Sequence, residues 1–197
     1  MTNALVSRLF PSATNMIRLD HTHVLSTFHQ YKASAPLRVK KGLVHTICTA
    51  LEIHAQLEEE IFYPAVRARA GEEQIGKSLS EHGEMRRLIG ELRAMEPDAP
   101  AYDQTLAELM RDVMHHVADE ETIVLPLAER TMPEELGELG MRMTRRRVQL
   151  VAPRSGEIAL DMGRAASGNV TALVLVGCAA AGLLMARRAR RPAMARS

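Results

Sequence analysis

The sequence has few aromatic residues and few cysteines. Tryptophan is absent, and the aromatic residues together make up 3% of the 197 positions. Strands favour aromatic and β-branched side chains, so this composition argues against a sheet protein. The two cysteines, Cys48 and Cys178, do not form a CxxC pair and are too few for a disulfide scaffold.

An excess of charge of either sign is also missing. The formal net charge is +1, so no bulk field attracts nucleic acid, and we expect no nucleic-acid partner. Residues 1–11 lack the charged and then apolar run of a secretory signal, which favours a cytosolic main domain. Paired ExxH motifs, an HExxH motif and a phosphate-binding glycine loop are absent too, which argues against a ferritin-like site, a zincin and a phosphate-loop protein.

Leucine, alanine, methionine and glutamate are plentiful, and 46% of the residues are hydrophobic, which favours helices around a core. Apolar residues recur at helical spacing in four segments separated by proline and glycine. These predicted helices span residues 15–32, 37–70, 72–95 and 102–131. Because short connections join them, we predict an all-α fold with an up-down-up-down four-helix bundle over residues 15–132.

The chain changes character after the predicted bundle. Residues 133–168 are polar and are predicted to be a connector. An uncharged stretch then predicts a transmembrane helix over 169–187, followed by a basic tail over 188–197. We expect a membrane-anchored protein whose bundle faces the cytoplasm, although arginines after the apolar stretch favour the opposite orientation. The alternative is a helix buried in a homo-oligomer, with which the small residues Gly177 and Gly182 are compatible.

Two short motifs each place a histidine four residues before a glutamate. They are His54/Glu58 and His116/Glu120. This spacing puts both side chains of a motif on one face of a helix. Each motif continues with a second acid, an apolar cluster and a proline, and each lies on an otherwise apolar stripe. Polar groups on such a stripe cost several kcal/mol if they have no partner.

The first and third predicted helices each add one histidine to such a stripe, His21 and His82. A lone histidine there is more often an ordinary helix residue, and a lone HxxxE pair is often a surface contact. The duplication of the motif favours a shared metal site instead, because imidazole nitrogens and carboxylate oxygens bind Fe, Mn, Zn or Co. The candidate metal ligands are His21, His54, Glu58, His82, His116 and Glu120.

The other histidines and acids near the motifs fall off these stripes, and we expect them on the surface or behind the ligands. They are His23, His29, His45, His115, Glu59, Glu60, Asp119 and Glu121. Tyr63 is expected either to approach the site or to pack in the core.

In combination, these motifs resemble the hemerythrin-like (HHE cation-binding) family. The resemblance covers residues 15–130 and rests on Leu19-Asp-His21, residues 54–64, Glu81-His82, residues 115–121 and Leu125-Pro126. It implies a four-helix bundle that holds a non-haem di-iron centre with oxo or hydroxo and carboxylate bridges. The six candidate residues would be its ligands, with Glu58 and Glu120 as the bridging carboxylates.

One position departs from the invertebrate oxygen carriers of that family, which have a further histidine where this chain has Ser78. The set of four histidines and two glutamates instead resembles bacterial members linked to nitric oxide, peroxide or iron–sulfur repair chemistry. One fewer histidine leaves an open position for O₂, NO, peroxide or water, which argues against reversible O₂ carriage as the only function.

Three functions remain open. The first is a di-iron protein that binds or reacts with O₂, NO or peroxide in sensing, scavenging or a stress response. The second is a non-redox iron or zinc buffer, or a sensor whose folding depends on metal. The third is a structural scaffold without metal. We expect iron as the cofactor, with zinc or manganese as alternatives.

Overall fold

The computed structural model describes residues 10–70 and 73–166, and every regular element within these residues is helical. Four helical segments form the bundle. They are α1 (Ala13–Phe28); α2 (Leu37–Leu57), continued by a π-helical turn (Glu58–Phe62) and α3 (Tyr63–Ala70); α4 (Glu73–Ala94); and α5 (Tyr102–Asp119), continued by a second π-helical turn (Glu120–Val124) and α6 (Leu125–Thr131). The prediction of an all-α helical bundle is confirmed.

Helix α1 begins and ends earlier than the sequence pattern predicted. Its cap is Ser12, whose Oγ accepts a hydrogen bond from the backbone N–H of Asn15 at 3.3 Å. Asn15 therefore lies inside the first turn and is not the cap. The helix ends at Phe28, although the pattern predicted Lys32.

Both long helices change their register at the π-helical turns. A π turn adds one residue, so the buried face moves on by one position. In the second long helix, Val124 is 2% exposed whereas Ile123, which the straight-helix pattern had placed in the core, is 47% exposed. In the first, Phe62 and Val66 are fully buried, and Ile61 stays buried as well at 8% exposure. The π turns end just before Pro64 and Pro126.

The bundle core has two apolar clusters with a polar layer between them. On α1, Ile17 belongs to one cluster and Val24 to the other. On α2, Leu57 belongs to the same cluster as Ile17, and Leu51 belongs to the same cluster as Val24. The candidate ligands lie at the intervening positions of each helix, so both apolar clusters shield them from water.

The predicted polar connector is wrong for most of its length, because two further helices pack against the bundle. Helix α7 spans Leu136–Val151, and a short 3₁₀ turn leads to α8, Ser155–Ala165. The connector hypothesis missed three buried residues, Leu136, Leu139 and Met143, which are separated by charged ones. Their spacing of three and four residues marks a helix face. The predicted domain boundary at residue 133 stays a prediction.

Two glycines allow these added helices to lie close to the bundle. A Cβ at Gly140 of α7 would lie 2.1 Å from the carbonyl oxygen of Pro11. A Cβ at Gly42 of α2 would lie 2.7 Å from the backbone nitrogen of Ala165, at the end of α8. Any larger residue at either position would push the helices apart.

Across residues 10–70 and 73–166, no helix combines the length and the apolar character needed to cross a bilayer. This finding overturns the expected membrane-anchored localisation for the part of the chain that the structure describes. The predicted transmembrane segment 169–187 and the basic tail 188–197 lie outside the described residues.

Candidate metal centre

The six predicted ligands meet at the centre of the bundle. All six side chains are buried, with exposed fractions of 4% or less. Their donor atoms form two overlapping groups, and within each group the atoms lie no more than 4.8 Å apart. One group comprises His21, His54, His116 and Glu120, and the other comprises Glu58, His82 and His116.

Each glutamate of the centre lies between two imidazoles. Glu58 Oε2 is 3.3 Å from Nε2 of both His54 and His82. Glu120 Oε2 is 3.3 Å from Nε2 of His21. It is 3.5 Å from Nε2 of His116. In this arrangement each glutamate oxygen faces two imidazole nitrogens.

In each of the four candidate histidine ligands, the outward nitrogen, Nδ1, faces a carboxylate. His21 Nδ1 is 2.9 Å from Glu121, and His82 Nδ1 is 2.8 Å from Glu59. These acids follow the two inner glutamates directly in the sequence. A carboxylate at Nδ1 fixes the tautomer in which Nδ1 carries the proton, and it leaves the Nε2 lone pair for a metal.

The two remaining histidines use acids that the sequence analysis did not single out as partners. His116 Nδ1 is 3.0 Å from Glu81, and His54 Nδ1 is 3.5 Å from Asp20. Each acid directly precedes the histidine of a neighbouring helix, because Asp20 precedes His21 and Glu81 precedes His82. An acid directly before a core-facing histidine was therefore the sequence feature from which these two partners could have been predicted.

Several inward atoms of the centre have no hydrogen-bond partner. Among the described residues, seven buried side-chain atoms lack one, and four of them belong to this site. They are Nε2 of His21, Nε2 of His54, Oε1 of Glu58 and Oε2 of Glu120. Unpaired buried polar atoms are costly and rare, and metal ions would satisfy all four. The residues present therefore fit a metal centre.

Tyr63 approaches the site and is part of it. Its side chain is 1% exposed and its ring stacks on His82 with centroids 5.6 Å apart. Its hydroxyl oxygen lies 2.7 Å from Glu120 Oε1 and 3.2 Å from Glu58 Oε2. Ser78, which replaces the further histidine of the oxygen carriers, is buried and hydrogen-bonds the same hydroxyl. The phenol therefore stands beside both inner glutamates.

Burial and mutual repulsion separate the protonation states of the two inner glutamates in the metal-free protein. Burial and the nearby charge of Glu120 raise the pKa of Glu58 well above its ordinary value. Burial acts on Glu120 as well, but the imidazole of His21, 3.3 Å from its Oε2, and the charge of His116 lower its pKa. Burial and the neighbouring imidazoles lower the pKa of His82 to about 4. The site thus favours neutral His82 as a ligand.

Two small voids touch the histidine side of the centre, and each has a volume of about 10 Å³. Both are lined by Leu51 and His54. The first also touches Met85 and Ile89, and the second touches Val113. A void of this size holds about one water-sized molecule.

The remaining histidines lie away from the centre. His29 and His115 are exposed, and His23 is partly buried. His45 Nδ1 lies 3.5 Å from Asp161 on α8. Asp161 also accepts a hydrogen bond from Arg164 of the same helix at 2.8 Å, so of these two contacts the one with His45 joins α8 to α2.

Comparison with known proteins identifies the bundle. The sequence model of the hemerythrin HHE cation binding domain matches residues 12–128. A DNA nickase from Nostoc sp. (strain PCC 7120) is 31% identical over 124 residues, which are 63% of this chain and 35% of the nickase. The chain therefore spans about a third of the length of that relative.

A solved structure has the same fold. It is the crystal structure of a hemerythrin HHE cation binding domain-containing protein from Mycobacterium kansasii, with a TM-score of 0.65 and 19% sequence identity. The likeness covers 82% of this chain and 97% of the other. The family match ends at residue 128, so this likeness extends into the helices that follow the bundle.

Proposed function

The chain belongs to the hemerythrin HHE cation-binding family, and we propose that its six inward-facing side chains hold a pair of iron ions that bind or react with O₂, NO or peroxide. The observation that carries this proposal is that four buried polar atoms without a hydrogen-bond partner belong to side chains that cluster between the helices. Iron is the metal that supplies redox chemistry with these small molecules when bound to histidine and carboxylate ligands.

The residues around the ligands support a reactive centre. Four outer carboxylates hold the histidines in one tautomer and one orientation. Two apolar clusters exclude bulk water. Voids of about 10 Å³ beside His54 match a diatomic or peroxide ligand in size. The centre therefore combines a protected interior with room for a small reactant.

Tyr63 is a hydrogen-bond donor on the side of the centre where the two inner glutamates lie. Its hydroxyl donates to Glu120 at 2.7 Å. Burial and the two glutamates raise the pKa of Tyr63, so the phenol keeps its proton at neutral pH. A neutral phenol beside the two inner glutamates can hold or donate a proton there.

The test is metal content together with an optical spectrum. Protein purified without oxygen and loaded with Fe(II) is expected to hold two irons per chain and to gain a near-ultraviolet charge-transfer band on exposure to air. His116→Ala is expected to lose iron. The exposed neighbour His115 offers a matched control, and His115→Ala is expected to keep both irons. One zinc per chain, or no metal, would overturn the iron-pair proposal.

A non-redox metal buffer or metal-dependent sensor is the second candidate. The group of three histidines and Glu120 also suits Zn²⁺, which favours four nitrogen, sulfur or oxygen ligands. Rapid reaction of the iron-loaded, reduced protein with O₂ or NO would exclude this function. We do not extend DNA nicking to this chain, because the match covers only 35% of the nickase.

A further inference from the structure

Three of the outer carboxylates lie beside a cationic side chain, and these cations come from two different helices. Glu59 is paired with Arg86 of α4, and Glu81 lies 3.7 Å from Lys77 of the same helix. Both cations belong to the four-helix bundle. Asp20 is paired with Arg147, which lies on α7 and beyond the family match that ends at residue 128. A helix outside the family domain thus reaches the carboxylate that supports a candidate ligand.

The contact between Arg147 and Asp20 is bidentate. Arg147 Nη1 donates to Asp20 Oδ1 at 2.7 Å, and Nη2 donates to Oδ2 in a second short hydrogen bond. The same Oδ2 atom lies 3.5 Å from His54 Nδ1. Two parallel hydrogen bonds from a planar guanidinium fix the orientation of a carboxylate. Arg147 therefore sets the direction from which Asp20 approaches His54.

The face of α7 that carries Arg147 follows α1. Gly140 lies against Pro11, and the hydroxyl oxygen of Thr144 lies 3.6 Å from Met16 Sδ. Arg147 lies one turn further along and meets Asp20. These three positions of α7 are spaced by four and three residues, so they share one side of the helix. Close packing at Gly140 thus holds the guanidinium in place.

We propose that Arg147 is a positioning residue of the metal centre, which acts through Asp20 to hold His54 Nε2 toward the ions. This inference rests on the proposed metal function. Helix α7 then contributes to the metal centre along with the four segments of the bundle, because removal of one of its side chains alters a ligand on α2. Partners of metal-bound histidines usually change metal affinity by 10- to 100-fold when they are removed.

The neighbouring Arg146 offers a matched control. It also joins α7 to the bundle through a two-point ion pair, since its Nε and Nη2 donate to Glu60 at 2.7 and 3.0 Å. The two arginines have similar exposed fractions, 33% and 31%. Glu60 bonds Gln56 and no histidine. Arg146→Met therefore removes a comparable helix-docking contact without touching the proposed chain to His54.

The experiment measures anaerobic Fe(II) affinity by chelator competition, and the visible absorption of Co(II)-loaded protein. Arg147→Met is expected to weaken Fe(II) binding by about 10-fold or more and to change the Co(II) spectrum. Arg146→Met is expected to leave both within about twofold of the wild type, although its metal-free form should lose a similar amount of thermal stability. Arg147→Lys keeps the charge without the fork and should restore binding only in part.

A double-mutant cycle tests the route through Asp20. If Arg147 acts through that carboxylate, Arg147→Met will add little to the loss of Fe(II) affinity already caused by Asp20→Asn. A full additional loss, or equal losses from Arg146→Met and Arg147→Met, would overturn the inference. A wild-type chain that binds neither Fe(II) nor Co(II) would instead overturn the proposed function, and the inference with it.

Discussion

The hydroxyl of Tyr63 donates a hydrogen bond of 2.7 Å to Glu120, a residue 57 positions later on another helix of the bundle. The same hydroxyl oxygen lies 3.2 Å from Glu58. Tyr63 comes directly after the π-helical turn that begins at Glu58, and Glu120 begins the second such turn. In the described part of the chain, Tyr63 is the only tyrosine that reaches the centre. It follows one π-helical turn and contacts the first residue of the other.

Replacing Tyr63 by phenylalanine should destabilise the metal-free protein by about 1–3 kcal/mol, because the buried Glu120 loses a hydrogen-bond donor. Urea unfolding of the metal-free protein measures this loss. Metal ions would satisfy the carboxylates directly, so the loss should shrink in the metal-loaded protein. Tyr102 is a suitable control, since it is 1% exposed and its hydroxyl has no hydrogen-bond partner. If Tyr102→Phe causes an equal loss, the Tyr63 contacts are not stabilising.

The two inner glutamates should respond oppositely to neutralisation in the metal-free protein. The raised pKa of Glu58 means that the folded state holds a proton that the unfolded state releases, so stability falls as pH rises above the unfolded value. Glu58→Gln should remove this fall and stabilise the metal-free protein at neutral pH by about 1–3 kcal/mol. It should also abolish binding of the two metal ions.

Glu120→Gln is the matched comparison. The pKa of Glu120 is lowered, so its ionised form contributes stability above the unfolded pKa, and this contribution is lost as pH falls. At neutral pH Glu120→Gln should therefore destabilise the metal-free protein, because His21 loses its buried partner. Unfolding free energies measured from acidic to neutral pH decide the point. The same sign for both variants would contradict the assigned protonation states.

Leu51 lines both of the small voids. Leu51→Ala should cost about 2–5 kcal/mol and enlarge the space beside His54. Stopped-flow mixing of iron-loaded, reduced protein with NO should then show faster binding. Leu106→Ala removes a comparably buried side chain that lines neither void. If it accelerates NO binding equally, general loosening is the cause.

Helix α7 should leave α1 when Gly140 is enlarged. In Gly140→Ala the added Cβ would clash with the carbonyl oxygen of Pro11, so we expect a loss of about 1–3 kcal/mol and faster proteolysis after residue 133. Gly90 lies within α4 and has open space around its Cβ position. Gly90→Ala should stabilise the protein by about 0.5–1 kcal/mol through helix propensity. A stable, protease-resistant Gly140→Ala variant would contradict the observed close packing.

Local patterns were sufficient to identify the inner residues of the site. A histidine and a glutamate four positions apart must share a face of any helix, and the repetition of that pair identified His54, Glu58, His116 and Glu120 together. His21 and His82 were identifiable because each interrupts an apolar stripe. Their roles as metal ligands stay a prediction, but the structure brings all six to one place.

The helices after the bundle were harder to predict. Only three buried apolar residues mark the inner face of α7, and charged residues surround them. Their burial depends on Gly140, which permits a close approach that no local pattern specifies. The membrane-anchored localisation was wrong for the described residues, none of whose helices is suited to span a bilayer.

The sequence by itself determined the helical class and the six inward-facing candidate ligands, because both follow from a period of 3.6 residues within single helices. Tertiary structure alone decided the partners behind the ligands: Asp20 supports His54, Glu81 supports His116, and Tyr63 joins the two glutamates. These contacts cross between helices, and their geometry depends on the π-helical register shifts and on how closely the helices pack. Periodicity within one helix contains no information about either.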